Sequence, residues 1–281
     1  MALECDDRSS RRCGGNSAHL AVAAIVFALA VAWPGSAGAQ EGAPVTSAVP
    51  PEPRPPSFRA FGSGLGMSFT SSLFSEQNVL PAAIGGTLAL TLAPYDQAIS
   101  SARRATNPSF GTIGEAAGGK VVMLSVVGGT ITASFFSQST RLKSTAFALA
   151  QATTVDLAIV YGLKYATRRE RPDGSNNLSF PSGHAADAFV VATVFSHYYG
   201  WKWGVPLYAA AGLIAVSRVE KGKHWPSDVA AGAAIGLLAG RSGILTTDRL
   251  SGSRKFSRLA IAPILGAHRW GVSVSVLPRP Q

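Results

Sequence analysis

Cysteine is almost absent from this sequence. The 281 residues contain two, Cys5 and Cys13, and both lie close to the N-terminus. They belong to a leader, described below, that we expect to be removed, so the mature chain would contain none. That would exclude a structural disulfide, a thiolate nucleophile and a metal site built on cysteine.

Charge is also scarce. Charged residues make up 14% of the chain and hydrophobic residues 47%, which suits one domain with a large helical core. Lys and Arg number 25 against 15 Asp and Glu, a net charge of +10. Such an excess suits nucleic acid, anionic lipid headgroups or phosphorylated substrates. Stacking aromatic residues are not interleaved with the cations, so we favour a phosphorylated small molecule or lipid over nucleic acid.

Residues 1–39 have the pattern of an export signal. Basic residues precede an apolar run from Leu20 to Trp33, and Ala37-Gly38-Ala39 supplies the small residues of a cleavage site before Gln40. An uncleaved membrane anchor is the alternative, although 14 apolar residues are few for a span. The sequence therefore predicts export to the periplasm or cell envelope.

The remainder divides into a Pro-rich linker at 40–60, a helical domain at 61–245 and a tail at 246–281. Long apolar segments predict helices at 79–94, 120–137, 144–164, 185–199, 204–217 and 228–240. In the tail, Val272, Val274 and Val276 alternate with serine, which predicts a C-terminal β-hairpin. The expected fold class is an all-α antiparallel bundle with this short hairpin added.

Helix lengths bring distant residues to one end of the bundle. A helix from His184 to Tyr199 runs about 24 Å at 1.5 Å per residue, and a helix from Val205 to Ser217 returns over a similar distance. Arg218 should therefore lie beside His184. The helix ending near Lys164 also delivers its last residues to this end.

Two segments at this end are suited to binding a phosphate. Lys164 ends a helix, while Pro172 makes Arg171 extended, so the two cations can face one anion. Ser182 and Gly183 form a tight turn before a helix whose N-terminal N–H groups attract anions. Taken singly, the first could be a solvated basic helix end and the second an ordinary helix cap.

A third segment provides a histidine with a carboxylate. His224 and Asp228 are four residues apart, so the carboxylate can reach the imidazole. It would hold the proton on Nδ1 and leave Nε2 free as a nucleophile. The same spacing also occurs in ordinary helix caps. Arg218, six residues before His224, adds another cation.

The three segments together resemble the signature of the type 2 phosphatidic acid phosphatase and vanadium haloperoxidase superfamily. The shared motifs are Lys-x6-Arg-Pro, Pro-Ser-Gly-His and Ser-Arg-x5-His-x3-Asp, within residues 144–240. The resemblance implies that His224 is the nucleophile that forms a phosphohistidine, Asp228 its orienting carboxylate and His184 the acid. It also implies a phosphate-binding set made of Lys164, Arg171, Ser182, Gly183 and Arg218.

The resemblance implies a phosphatase acting on a phosphomonoester or diphosphate, which could be a lipid phosphate. Catalysis by two histidines and a set of cations would require no metal or other cofactor. One alternative is a haloperoxidase that binds vanadate in the same pocket, and another is a helical envelope protein without activity. Segments 121–140 and 144–163 could span a membrane, whereas 204–217 and 228–240 are short for a span. An integral protein and a soluble or peripheral one therefore both remain open.

Overall fold

The computed structural model of the chain describes residues 54–104, 119–252, 258–266 and 269–277. The predicted signal peptide and most of the linker lie outside these ranges. The helices are α1 Phe61–Met67, α2 Glu76–Leu92, α3 Asp96–Arg104, α4 Lys120–Phe136, α5 Thr140–Thr167, α6 Gly183–Tyr199, α7 Trp201–Glu220 and α8 Pro226–Leu250. Short 3-10 turns at Phe58–Ala60 and Ala93–Tyr95 and a π-helical turn at Ser68–Ser72 accompany them. The predicted helical fold class is confirmed.

Two strands follow the bundle, β1 Arg258–Gly266 and β2 Arg269–Leu277. They pair antiparallel, with Arg258 opposite Leu277 and Gly266 opposite Arg269. The side chains of this segment lie outside the described part of the chain, so no packing against the helices supports the hairpin. The C-terminal hairpin therefore stays a prediction.

Helix α8 lies at the centre of the bundle and packs against α2, α5 and α6. Small residues let it approach α6 closely. A Cβ atom at Gly232 would overlap the carbonyl oxygen of Ser182, and one at Gly236 would overlap that of Ala186. Glycine at these two positions therefore allows backbone contact between the two helices, which sets the distance between their N-terminal ends.

Two buried apolar clusters hold these helices in place. One joins α6, α7 and α8 through residues such as Phe189, Ile214 and Leu237. The other joins α5, α6 and α8 through Leu149, Val190 and their neighbours. Because α6 and α8 belong to both clusters, the N-termini of α6 and α8 and the C-terminus of α5 are fixed relative to one another.

Two helices extend beyond the apolar segments that predicted them. Helix α7 has 20 residues and α8 has 25, so both are longer than the apolar segments that predicted them. Hydropathy marks only the apolar part of a helix, and these two continue into polar ends. Helix α8 extends beyond residue 245, and the ring of Phe58 packs in a tilted arrangement against that of Phe147 in α5, while the predicted domain boundaries stay predictions.

Candidate active site

The loop 178–182 connects the three predicted segments. At the end of α5, Lys164 Nζ donates to the carbonyl oxygens of Leu178 and Pro181, both at 2.7 Å. The Ser182 N–H donates to the Asp228 carbonyl at 2.9 Å, which ties the start of α6 to the start of α8. The predicted meeting of these segments at one end of the bundle is thus what the structure shows.

His224 is buried, with 2% of its surface exposed. Its Nδ1 lies 2.6 Å from the carbonyl oxygen of Ser179. A carbonyl can only accept, so Nδ1 carries the proton and Nε2 keeps its lone pair. Asp228 was expected to hold this proton, but its Oδ2 is 3.8 Å from Nδ1. The Ser179 carbonyl is the closer partner of Nδ1, and Asp228 lies within ion-pair distance of the ring, so its orienting role stays a prediction.

Asp228 is occupied by other donors. Its Oδ2 accepts from the Trp225 N–H at 2.9 Å, as the third residue of a helix capping box, and also from the Ser179 hydroxyl. Its Oδ1 accepts from Arg169 Nη1 at 2.6 Å. Ser179 therefore links the pair, because its hydroxyl binds the carboxylate while its carbonyl binds the imidazole of His224. Asp228 acts on the ring through its charge and through this serine.

Burial is the main cause of a low pKa at His224. Burial and, to a smaller extent, the positive charges of Lys164 and Arg171 together lower the pKa from 6.5 to about 4, while Asp228 opposes the change. A pKa near this value keeps the imidazole neutral at ordinary pH. A neutral ring is the form that can act as a nucleophile.

Ser182 is the N-cap residue of α6 and is completely buried. Its hydroxyl has no hydrogen-bond partner among the residues that the structure describes. An unsatisfied buried hydroxyl costs stability and so marks a place where a ligand can bind. Gly183 is the first residue of the same helix, whose N-terminus favours an anion.

The other predicted residues lie around this point. The carbonyl of the buried Arg218 accepts from the His224 N–H at 3.2 Å, so the chain folds back between them. Arg171 donates from Nε to Asn176 Oδ1 at 2.9 Å, in the loop after α5. His184 is half-buried in the first turn of α6, two residues after Ser182. The arrangement supplies cations, backbone donors and two histidines at one helix-lined end.

Sequence reasoning missed three residues that hold the site together. Arg169 looked like part of a solvated basic helix end, yet its two Nη atoms bind Asp228 and Asp96, and it lies over the Trp225 ring at 5.6 Å. Asp96 precedes Arg169 by 73 positions, and no pattern connects the two. Ser179 lies only two residues before Pro181, but its contacts become visible only in the folded chain.

Comparison with known proteins agrees with this geometry. A family model described as the PAP2 superfamily matches residues 145–250. A lipid A 4'-phosphatase from Helicobacter pylori is 33% identical over 139 residues, which cover 45% of this chain and 69% of that protein. The chain belongs to the PAP2 superfamily. The match spans every predicted site residue of this PAP2 chain.

Two further similarities concern relatives and fold. A lipid A 1-phosphatase from Porphyromonas gingivalis is 43% identical over 88 residues, which cover 30% of this chain and only 20% of that protein. A transmembrane PAP2-type phosphatidylglycerolphosphate phosphatase from Bacillus subtilis superposes with a TM-score of 0.51 at 22% identity, over 65% of this chain and all of that one. At that identity the structural likeness supports the PAP2 fold alone. The two relatives are phosphatases by name, the enzyme class that the sequence predicts.

Proposed function

We propose that this chain is a phosphatase that hydrolyses a phosphomonoester or a diphosphate, with a lipid phosphate as its substrate class. The observation that carries the proposal is the state of His224. Its Nδ1 proton is bound by the Ser179 carbonyl, its ring is neutral, and its Nε2 lone pair is available beside a phosphate-binding set. A neutral, oriented imidazole among cations is suited to accept a phosphoryl group.

In the proposed reaction, His224 Nε2 attacks phosphorus and a P–N bond forms as the P–O bond to the leaving group breaks. His184 donates a proton to the leaving oxygen. Water then attacks the phosphorus of the phosphohistidine and gives a proton to His184, and the P–N bond breaks as the new P–O bond forms, which releases inorganic phosphate and restores the neutral His224. The positive charges of Lys164, Arg171 and Arg218 stabilise the equatorial oxygens throughout.

The cations in this pocket make a metal unnecessary for the proposed steps. They supply the charge stabilisation that a divalent ion supplies in many other phosphatases, and His224 supplies the nucleophile that a metal-bound water would otherwise provide. We therefore propose a metal-independent reaction, with neither a divalent ion nor vanadate as a cofactor.

Lipid substrates are favoured by the surface of the bundle and by the relatives. Helices α5 and α8 are long and apolar enough to cross a membrane, by length and composition, and of the two α5 is the more exposed, with half of its apolar window buried against 83% for α8. Large apolar side chains are exposed on α2, α4 and α7, for example Leu90, Phe136 and Trp201 at 76%, 85% and 73%. The two relatives are named for lipid A. We propose that the chain lies in the membrane of the cell envelope, with the site at the membrane surface.

The test compares wild type with His224→Ala. The full chain is purified in detergent, and release of inorganic phosphate is measured from p-nitrophenyl phosphate and from phosphatidic acid. Loss of the nucleophile should lower turnover by at least about 1000-fold. When a reaction with substrate labelled on its phosphate is quenched in base, the wild-type protein should carry labelled phosphohistidine and the variant should carry none.

The matched control is His197→Ala. His197 lies at the far end of α6, where its Nε2 is 3.5 Å from Asp248. This variant should keep wild-type turnover. Retention of more than a tenth of the activity by His224→Ala would exclude the nucleophile role. Loss of activity with EDTA and recovery with a divalent ion would exclude the metal-independent reaction.

A further inference from the structure

Arg169 bridges two buried carboxylates that come from different helices. Its Nη1 donates to Asp228 Oδ1 at 2.6 Å and to Ser227 Oγ at 2.8 Å. Its Nη2 donates to Asp96 Oδ2 at 2.7 Å. The planar fork of a guanidinium suits this double contact, which a lysine could not make. Both Nη atoms of Arg169 therefore donate hydrogen bonds to other residues of the protein.

Asp96, the first residue of α3, completes the bridge from the other side. It is 4% exposed, and its Oδ1 accepts from the Ser227 N–H at 2.9 Å, while its Oδ2 accepts from Ser227 Oγ at 2.5 Å. Asp96 thus holds both the first turn of α8 and the guanidinium. It lies outside residues 145–250, so it belongs to the part of the chain for which the sequence indicates no function.

We propose that Arg169 and Asp96 are positioning residues for the hydrolysis proposed above, and that they act on His224 through Asp228 and Ser179. An unbroken series of contacts connects Asp96 to His224. Asp96 holds Arg169, Arg169 holds Asp228 Oδ1, and Asp228 Oδ2 accepts from the Ser179 hydroxyl. The Ser179 carbonyl then accepts the Nδ1 proton of His224. This inference rests on the proposed function, because its readout is turnover.

Burial makes the bridge necessary for a fixed geometry. Asp228 is completely buried, and a buried carboxylate is stable only when cations or several donors compensate its charge. Without the guanidinium, Oδ1 would lose its charged partner and the carboxylate would turn towards another donor. His224 Nδ1, at 3.8 Å, is within reach of such a turn. The ring would then leave its position against Ser179, and Nε2 would no longer point at the phosphate in the same way.

The first test compares Arg169→Gln with Arg168→Gln. The two arginines are adjacent, and Arg168 is exposed at the end of α5. Both variants lose one positive charge, so a difference between them reports the contacts of Arg169 and not the loss of charge. With p-nitrophenyl phosphate, Arg169→Gln should lower kcat by at least ~10-fold with KM changed by less than about threefold, as for other residues that orient a catalytic group. Arg168→Gln should keep the wild-type kcat.

Asp96→Asn tests the other end of the bridge. The amide keeps the shape and the Oδ1 acceptor for Ser227 but loses the charge that holds Arg169, so kcat should fall by about 5-fold or more. The Arg169→Gln/Asp96→Asn double variant should be no slower than Arg169→Gln alone, because both act on one path. Arg169→Lys should recover part of kcat, since lysine keeps one contact as a point charge. Each kcat is measured below the melting temperature of that variant.

The outcomes separate the two proposals. If wild type and Arg168→Gln release no phosphate, the proposed function fails. If both are active and Arg169→Gln keeps kcat within about twofold of wild type, the positioning role is wrong. A rise confined to KM would instead make Arg169 a substrate-binding residue. Full activity of Asp96→Asn would remove Asp96 from the path, and additive losses in the double variant would show that the two residues act separately.

Discussion

At the scale of single residues, the site depends on how donors are shared among buried acceptors. Asp228 is the third residue of α8, so its Oδ2 accepts a hydrogen bond from the N–H of Trp225. That oxygen therefore has another donor besides the imidazole of His224. The Ser179 carbonyl then becomes the acceptor for His224. A spacing of four residues allows a His–Asp contact, but the competing donors decide whether it forms.

The pH dependence of turnover follows from the low pKa of His224. Burial, helped by the nearby cations, lowers that pKa from 6.5 to about 4, so the proposed nucleophile stays neutral as the pH falls through the range in which a free histidine becomes charged. The acidic limb of kcat/KM should therefore lie near pH 4, with a plateau from about pH 5 upward, until His184 loses its proton. A series of buffers at constant ionic strength measures the profile.

The same shift predicts the direction of the stability change. The folded state has the lower pKa, so the unfolded chain binds the proton first as the pH falls below 6.5. The contribution of His224 to stability is therefore present above pH 6.5 and is lost between pH 6.5 and about 4. An acidic limb of kcat/KM near pH 6.5 would contradict the buried, neutral histidine.

At the scale of elements, close contact between α6 and α8 determines where the proposed phosphate-binding residues lie. The loop carrying Ser182 reaches the first turn of α8 because Gly232 has no side chain. The lengths of the helices and their order were predictable from apolar segments. Their contact distance was not, because it depends on which small residue faces which backbone atom.

Gly232→Ala should damage this contact. The new methyl group would overlap the Ser182 carbonyl oxygen, a backbone atom that cannot move without moving the anion site. We expect a loss of about 1–3 kcal/mol in the free energy of unfolding, together with lower turnover. Thermal melting and p-nitrophenyl phosphate hydrolysis measure the two effects.

Gly86→Ala in α2 is the matched control, because a Cβ there meets nothing within 4 Å. It should change the free energy of unfolding by less than about 1 kcal/mol, in the stabilising direction if alanine acts only on the helix. Equal effects of the two substitutions on the free energy of unfolding would show that the close α6–α8 contact does not limit the stability of the bundle.

At the scale of the whole molecule, buried and exposed apolar surfaces serve different purposes. The core around α8 consists mostly of small and medium side chains together with Phe189, whereas α2, α4 and α7 present large apolar residues outward. The apolar segments 204–217 and 228–240 were too short to span a bilayer, but the helices that contain them have 20 and 25 residues. Of these two helices only α8 is also apolar enough to cross a bilayer, and 83% of its apolar window is buried inside the bundle. The length argument against a span is therefore removed for α8 alone.

Extraction of membranes tests this location. Membranes from cells that produce the full chain are washed with high salt and then with alkaline carbonate, and the chain is followed by immunoblot. We expect it to stay in the pellet and to enter solution with detergent, because apolar side chains of this size are costly to expose to water. Release by carbonate alone would show a peripheral or soluble protein, and a known peripheral protein in the same sample provides the control.

The sequence by itself determined the helical class and the order of the helices, and it predicted a set of phosphate-binding residues. These depend on local hydropathy and on motifs in which Lys164, Ser182 and His224 stand at fixed spacings. Only the tertiary structure decided which atoms bind. Ser179 orients His224, and Asp96 reaches Arg169 across 73 positions, because folding brings together donors and acceptors that no local pattern connects. Hydrogen-bond partners are set by which groups lie close together in the folded chain, not by their spacing in the sequence. Burial raises the free-energy cost of leaving any of these groups without a partner.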